Sequence, residues 1–194
     1  VYKRQVEDDT FRLTAFHVDH RGPDCFGYLF EERAHRPFLA DRALELGIPF
    51  GPERAQLVRG EAVVLSDGRH IHPDEVLGPP VPGTKYVHIG DVGRTDNLLE
   101  ICRDASTLVI ESTYLEAEAD MARQFGHMTA TRAARLALDA GVKTLILTHL
   151  SRRYRERDIR KEAQSIFPNT YVARDLDHFI INRHGAERQK KNAR

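Results

Sequence analysis

The sequence has little of what would commit it to a specialised environment. Only two cysteines, Cys25 and Cys102, occur among its 194 residues. They form no C-x-x-C pair, so the chain carries no sign of a disulfide framework. A reducing, cytoplasmic compartment is the expected setting. Net charge is also absent, because 29 Lys and Arg balance 29 Asp and Glu. No global field announces a nucleic-acid partner, so local charge must supply any such contact. No apolar run approaches the ~18 residues of a membrane span, and no signal-peptide pattern opens the chain. Neither a membrane nor DNA is expected as a partner. The chain opens on Val1, and its first ten residues are polar and unpatterned. They are expected to be disordered or a truncation junction, marking either a piece whose N-terminal part is missing or the trimmed edge of a whole domain.

What is present reads as one α/β domain, 11–182, with an inserted arm at about 31–60 and a basic tail at 183–194 that is expected to be disordered. Alternation over 11–16 and the run 26–30 predict a β-hairpin around Arg21-Gly22-Pro23-Asp24. The arm is punctuated by Pro37, Gly47, Pro49, Gly51 and Pro52, with one short helical pattern at 40–46. A strand at 62–65 and a proline-rich connector at 77–83 follow. Strands are then expected at 86–89, 107–110, 142–148, 171–173 and 178–181. Helices are expected at 97–104, 116–124, 130–140 and 156–166, with Asp96 and Thr129 as N-caps and Gly141 at a C-cap.

The stretch around which the chain is organised is Lys143-Thr144-Leu145-Ile146-Leu147-Thr148-His149. It is an apolar strand that delivers a histidine at its C-terminal end. Tyr86-Val87-His88-Ile89-Gly90-Asp91 and Leu108-Val109-Ile110-Glu111 share the design. In open α/β sheets, chemistry collects at that edge. With His20 and His127, these residues suit a zinc site held by rigid strands. The bland account of each is a polar strand end capping a turn or helix.

The order of the motifs is more specific than any one of them. Along the chain stand His20 with Gly27-Tyr28 and Glu31-Glu32, then Gly51-Pro52, Gly90-Asp91 and Ile110-Glu111-Ser112-Thr113. His127-Met128-Thr129 and Leu147-Thr148-His149-Leu150-Ser151-Arg152-Arg153-Tyr154 complete the set. This series, spread over 11–181, resembles ribonuclease Z, the metallo-β-lactamase-fold endonuclease that trims tRNA 3′ ends. The resemblance implies a metallo-β-lactamase-like αββα sandwich, mostly its C-terminal half, with a protruding exosite arm. It implies His20 on a first zinc, Asp91 bridging two zinc ions per subunit, and His149 on the second. It implies His127 beside the scissile phosphate, with Glu111 as its supporting carboxylate. Gly51, Pro52 and Arg54 of the arm, with Arg152 and Arg153, would contact precursor tRNA. The arm would serve the neighbouring subunit of a homodimer.

The chain departs from the family pattern in several places. Ile110 stands where the family has the histidine of H-E-A-T, and Met128 where it has the serine of H-S-T. His17 rivals His20 as the ligand. The family's H-x-H-x-D-H, which supplies most of the metal ligands, is not found. His70-Ile71-His72-Pro73-Asp74-Glu75 imitates it but lacks a strand-to-helix context and reads better as a surface turn. The chain therefore looks like the C-terminal half of the enzyme and is expected to be inactive alone. Other readings are a catalytically incomplete tRNA-binding fragment, or a hydrolase or phosphodiesterase of the same fold acting on small molecules. The bland reading of the arm's arginines is a solvated loop. That of Arg152 and Arg153 is salt bridging with Glu156 or Asp158.

Overall fold

The computed structural model describes residues 4–22 and 24–189. The chain divides into two units, Val1–Arg33 with Gly83–Arg194, and Ala34–Pro82. The first unit opens with an antiparallel meander of β1 (Arg4–Glu7), β2 (Phe11–His17) and β3 (Phe26–Glu32). The expectation of disorder over the first ten residues is therefore corrected at 4–7, while 1–3 lie outside the described residues. A turn closes this hairpin: Asp8 Oδ1 accepts from the Thr10 hydroxyl and amide, both at 2.7 Å, and from Phe11 N at 3.0 Å. Those bonds, the Thr10 hydroxyl's first, hold the Asp8 carboxyl below its ordinary value. The polar composition hid an edge strand whose pairing, not its apolarity, orders it.

The second unit, Ala34–Pro82, contains α1 (Ala40–Glu45), α2 (Pro52–Val58), and the small hairpin of β4 (Val63–Val64) and β5 (His70–Ile71). It buries its own core of Ala43, Ile48, Leu57, Val63, Leu65, Ile71 and Val76. The arm is thus longer than 31–60, and it is packed rather than loop-like. Helix α2 was concealed by its start, since Gly51-Pro52 reads as loop punctuation although proline is favoured at a first helical position. His70–Glu75 is a strand end and a 3-10 turn, in which Glu75 accepts from His72 N at 2.8 Å. That agrees with the surface-turn reading.

The first unit resumes with β6 (Lys85–His88), α3 (Leu99–Cys102) and β7 (Thr107–Glu111). After a 3-10 turn at Glu116–Glu118 come α4 (Ala119–Phe125), α5 (Ala130–Asp139) and β8 (Thr144–Thr148). The chain continues through α6 (Glu156–Gln164), β9 (Thr170–Val172), β10 (Phe179–Asn182) and β11 (Gly185–Arg188). The sheet order is β1-β2-β3-β6-β7-β8-β9, and the pairs from β6 to β9 are parallel. Parallel pairing brings the C-terminal ends of β6, β7 and β8 to one edge. Thr129 caps α5 by accepting from Arg132 N. Asp96 does not cap α3; it pairs with Arg94 at 3.0 Å.

Strand β7 is buried along its whole length. Leu108 and Ile110 join the main core with Ala133, Ala137, Leu145 and Leu147. Val109 packs on the other face with Ile146 and Ala186. The β10–β11 hairpin contributes Ala186 and Phe179 to that second cluster, and Arg188 lies over the Tyr171 and Phe179 rings. Disorder in the expected tail is therefore corrected over 183–188, and 190–194 lie outside the described residues. Both cysteines are free, and burial pushes the Cys102 thiol up to about 12. Among the described residues no helix is long and apolar enough to cross a membrane.

Gly27 faces Phe16 across β2 and β3, and a Cβ there would lie 2.4 Å from the Phe16 ring. Phe16 is fully buried and has nowhere to swing. Gly27→Ala should therefore lower unfolding stability by about 1–3 kcal/mol, read as a lower urea midpoint. An unchanged midpoint would show that the sheet yields there.

Candidate metal centre

The residues singled out at the strand ends converge. Glu111 is the last residue of β7, and Asp91 lies just beyond β6. His149 follows β8 directly in a left-handed conformation, φ +51°. His127 precedes α5 in a segment stitched to the continuation of β7, where Tyr114 N donates to Met128 O and Ala130 N to Tyr114 O. His20 comes from the loop after β2. Asp19 O in that loop accepts from Gly93 N at 2.7 Å.

Glu111 is fully buried. Its Oε1 accepts from Val92 N at 2.9 Å and lies 2.8 Å from His127 Nδ1. Its Oε2 accepts from the Thr113 hydroxyl at 2.6 Å and from Thr113 N at 3.3 Å. A buried carboxylate is tolerable only when it is met by donors in this way. Because the carboxylate accepts from Nδ1–H, His127 is left with Nε2 for chemistry. His20 is fixed similarly. Its Nδ1 is 2.7 Å from Gly126 O, and a carbonyl can only accept, so Nδ1 carries the proton and Nε2 is the lone-pair nitrogen.

Asp91 stands between two imidazoles. One oxygen, Oδ2, is 3.9 Å from His20 Nε2, and the other, Oδ1, is 3.3 Å from His149 Nδ1. The His127 ring lies between those of His20 and His149, with centroids 5.1 and 5.3 Å away. Zinc bonds of ~2.0–2.1 Å in a tetrahedron put ligand atoms about 3.3 Å apart; His20 Nε2 and Asp91 Oδ2, 3.9 Å apart, come close to that spacing, and two imidazoles with a carboxylate suit zinc in their chemistry. They are fewer donors than a closed site requires. Potential ligand atoms of His20, Asp91 and His127 lie within 4.8 Å of one another, as do those of Glu111, His127 and His149, but both Glu111 oxygens are already taken up by donors.

His17 is outside the cluster: its ring packs edge-on against Phe26, and its carbonyl accepts from Asn97. His20, not His17, reaches Asp91. Arg152 is exposed and has no ion-pair partner among the described residues. Arg153 pairs with Glu118 at 3.3 Å and donates to Met121 Sδ. The expected partners are otherwise engaged, Glu156 with Arg174 and Arg160, and Asp158 with Arg157. In the second unit, Arg54 lies 3.8 Å over the exposed Phe50 ring and donates to Pro49 O and Ile48 O. It therefore fixes the loop that presents Gly51 and Pro52. The sequence reading missed Thr113, Val92 and Gly126. Thr113 closes the Ile110-Glu111-Ser112-Thr113 stretch, which was a usable signal; Val92 and Gly126 act through main-chain atoms and leave none.

The fold and this cluster define a metallo-β-lactamase-fold protein. A profile of the Beta-lactamase superfamily domain matches residues 60–150. A metallo-beta-lactamase fold protein from Bacillus subtilis superposes with TM-score 0.55 at 18% identity, covering 88% of this chain and 49% of that one. The short form of human tRNase Z superposes with TM-score 0.52 at 22% identity, covering 88% and 43%. Within that class, the chain's curated homologues are ribonuclease Z proteins. That of Bradyrhizobium diazoefficiens is 46% identical over 176 residues, 91% of this chain and 58% of its own length. That of Gemmatimonas aurantiaca is 44% identical over 170 residues, 86% and 54%. The chain thus spans somewhat over half the length of the curated relatives it matches.

Glu111→Gln preserves shape but turns an NH2 toward groups that are themselves donors. One of Val92 N, Thr113 or His127 then loses its acceptor in a buried place. A stability loss of about 1–3 kcal/mol is expected, measured by urea unfolding of the full chain. Equal stability would mean that Glu111 is not the hub these contacts describe.

Proposed function

We propose that this chain carries the C-terminal side of a zinc-dependent endoribonuclease site that removes the 3′ trailer from precursor tRNA and leaves a 3′-hydroxyl. The observation that supports it most is Asp91 set between His20 and His149, beside a Glu111–His127 pair, in a chain whose homologues are ribonuclease Z proteins. His20, Asp91 and His149 would hold the metal. When bound, zinc supplies a water acidified toward a pKa of ~7 as nucleophile. The remaining work falls to the chain's own residues. Glu111 keeps the His127 ring oriented with Nε2 free to carry a proton to the leaving oxygen. Arg152, which has no ion-pair partner among the described residues, offers a cation just beyond His149 for a neighbouring phosphate. Gly51, Pro52 and Arg54 would grip the tRNA body through its backbone and shape, without reading sequence. The arm would serve the second subunit of a cytoplasmic homodimer.

A second reading is favoured by the motif content. The sequence contains no H-x-H-x-D-H, so the 194-residue chain would bind tRNA without completing the site.

The metal reading predicts that Asp91→Ala and His149→Ala each abolish zinc-dependent cleavage of a precursor tRNA by the complete protein. Retained activity in both would overturn it. Zinc content and cleavage measured on the 194-residue chain itself separate the two readings, since full turnover would overturn the incomplete-site reading.

A further inference from the structure

We infer that Thr113 is a positioning residue whose hydroxyl connects Glu111 to His149 and fixes His149 as the Nδ1–H tautomer, leaving Nε2 as its ligand nitrogen. The ligand role of His149 rests on the metal reading above, whereas the tautomer rests on geometry alone. The Thr113 oxygen lies 2.6 Å from Glu111 Oε2, 2.9 Å from His149 Nδ1 and 3.1 Å from His149 O. A hydroxyl has one proton to give. Two oxygens 2.6 Å apart, one of them a carboxylate's, repel unless that proton lies between them. The charge-assisted bond to Glu111 therefore takes the proton. The hydroxyl has only lone pairs left for His149, so Nδ1 must be the donor.

Asp91 supports the same conclusion. Its Oδ1, an acceptor, stands 3.3 Å from the same nitrogen, so two acceptors surround Nδ1. The Nδ1–H bond to the Thr113 oxygen also ties down the ring of a residue whose backbone stands at φ +51°, a conformation unfavourable for a residue with a Cβ. Glu111 thus orients two imidazoles, His127 directly through Oε1 and His149 through Thr113 and Oε2. Supporting contacts of this kind set both the orientation and the basicity of a metal-binding histidine.

The test uses the full 194-residue chain. Long-range 1H–15N spectra at about pH 8, above the ordinary imidazole value of ~6.5, report the tautomer in metal-free protein. The His149 signals are assigned by their loss in His149→Asn. The expected result is Nδ1–H in the unsubstituted chain and in Thr113→Ser, and loss of that preference in Thr113→Val. An Nε2–H tautomer in the unsubstituted chain would overturn the inference. Zinc titrations against a chromophoric chelator should show ~10–100-fold weaker binding in Thr113→Val, with recovery in Thr113→Ser. Equal zinc affinity of Thr113→Val and the unsubstituted chain would overturn the role of Thr113 in holding the ligand. No zinc binding by the unsubstituted chain would support the incomplete-site reading given above, while the tautomer would still decide the hydroxyl link.

Discussion

One buried carboxylate governs the arrangement of this site. Glu111 has no contact with solvent, and an ionised group in that position is stable only while its donors stay in place. Those donors come from separate parts of the chain. Val92 N belongs to the loop that carries Asp91, His127 sits at the entry to α5, and Thr113 reaches His149. Satisfying one charge therefore places four functional side chains relative to one another. The carboxylate needs them as much as they need it.

Glu111 can do this because β7 is rigid. Its side chains pack on both faces of the sheet, with Leu108 and Ile110 on one and Val109 on the other. The parallel register with β6 and β8 sets the heights at which Asp91 and His149 emerge. A parallel sheet covered on both faces gives its strand ends little freedom. The histidine that follows β8 then turns into the left-handed region, and the Thr113 hydroxyl meets its ring there.

The strand ends were legible because an apolar run that stops on a histidine or carboxylate is a local pattern. Their convergence was expected only from the habit of open α/β sheets and from the resemblance, since the local pattern does not show which strands pair. His20 could not be separated from His17 by spacing, because the choice depends on a carbonyl, Gly126 O, more than a hundred residues away. The edge strand at 4–7 and the strand at 185–188 escaped notice for a common reason. Each is ordered by pairing and by a few contacts, such as Arg188 over Tyr171 and Phe179, rather than by an apolar face of its own. Thr113 was hidden by its ordinariness. A threonine after a β-strand has many bland explanations, and its place in the Ile110-Glu111-Ser112-Thr113 stretch gained meaning only with the 2.6 Å contact to Glu111.

The arm shows why counting cations is a poor guide to nucleic-acid contact. Its arginines looked like a basic patch, yet they differ in what they have to give. Arg36 donates to Gly78 O, Leu77 O and Asp74, and Arg54 donates to Pro49 O and Ile48 O while stacked on Phe50. Carbonyls inside a folded unit cannot be traded for a phosphate without loosening the unit. Arg42 and Arg59 instead pair with the exposed carboxylates of Glu45 and Glu61. Such surface pairs contribute about 0–1 kcal/mol, so a polyanion can displace the glutamates at little cost. Any phosphate grip by this unit therefore draws on Arg42 and Arg59 for charge, and on Arg54 for the shape of the Phe50-Gly51-Pro52 loop.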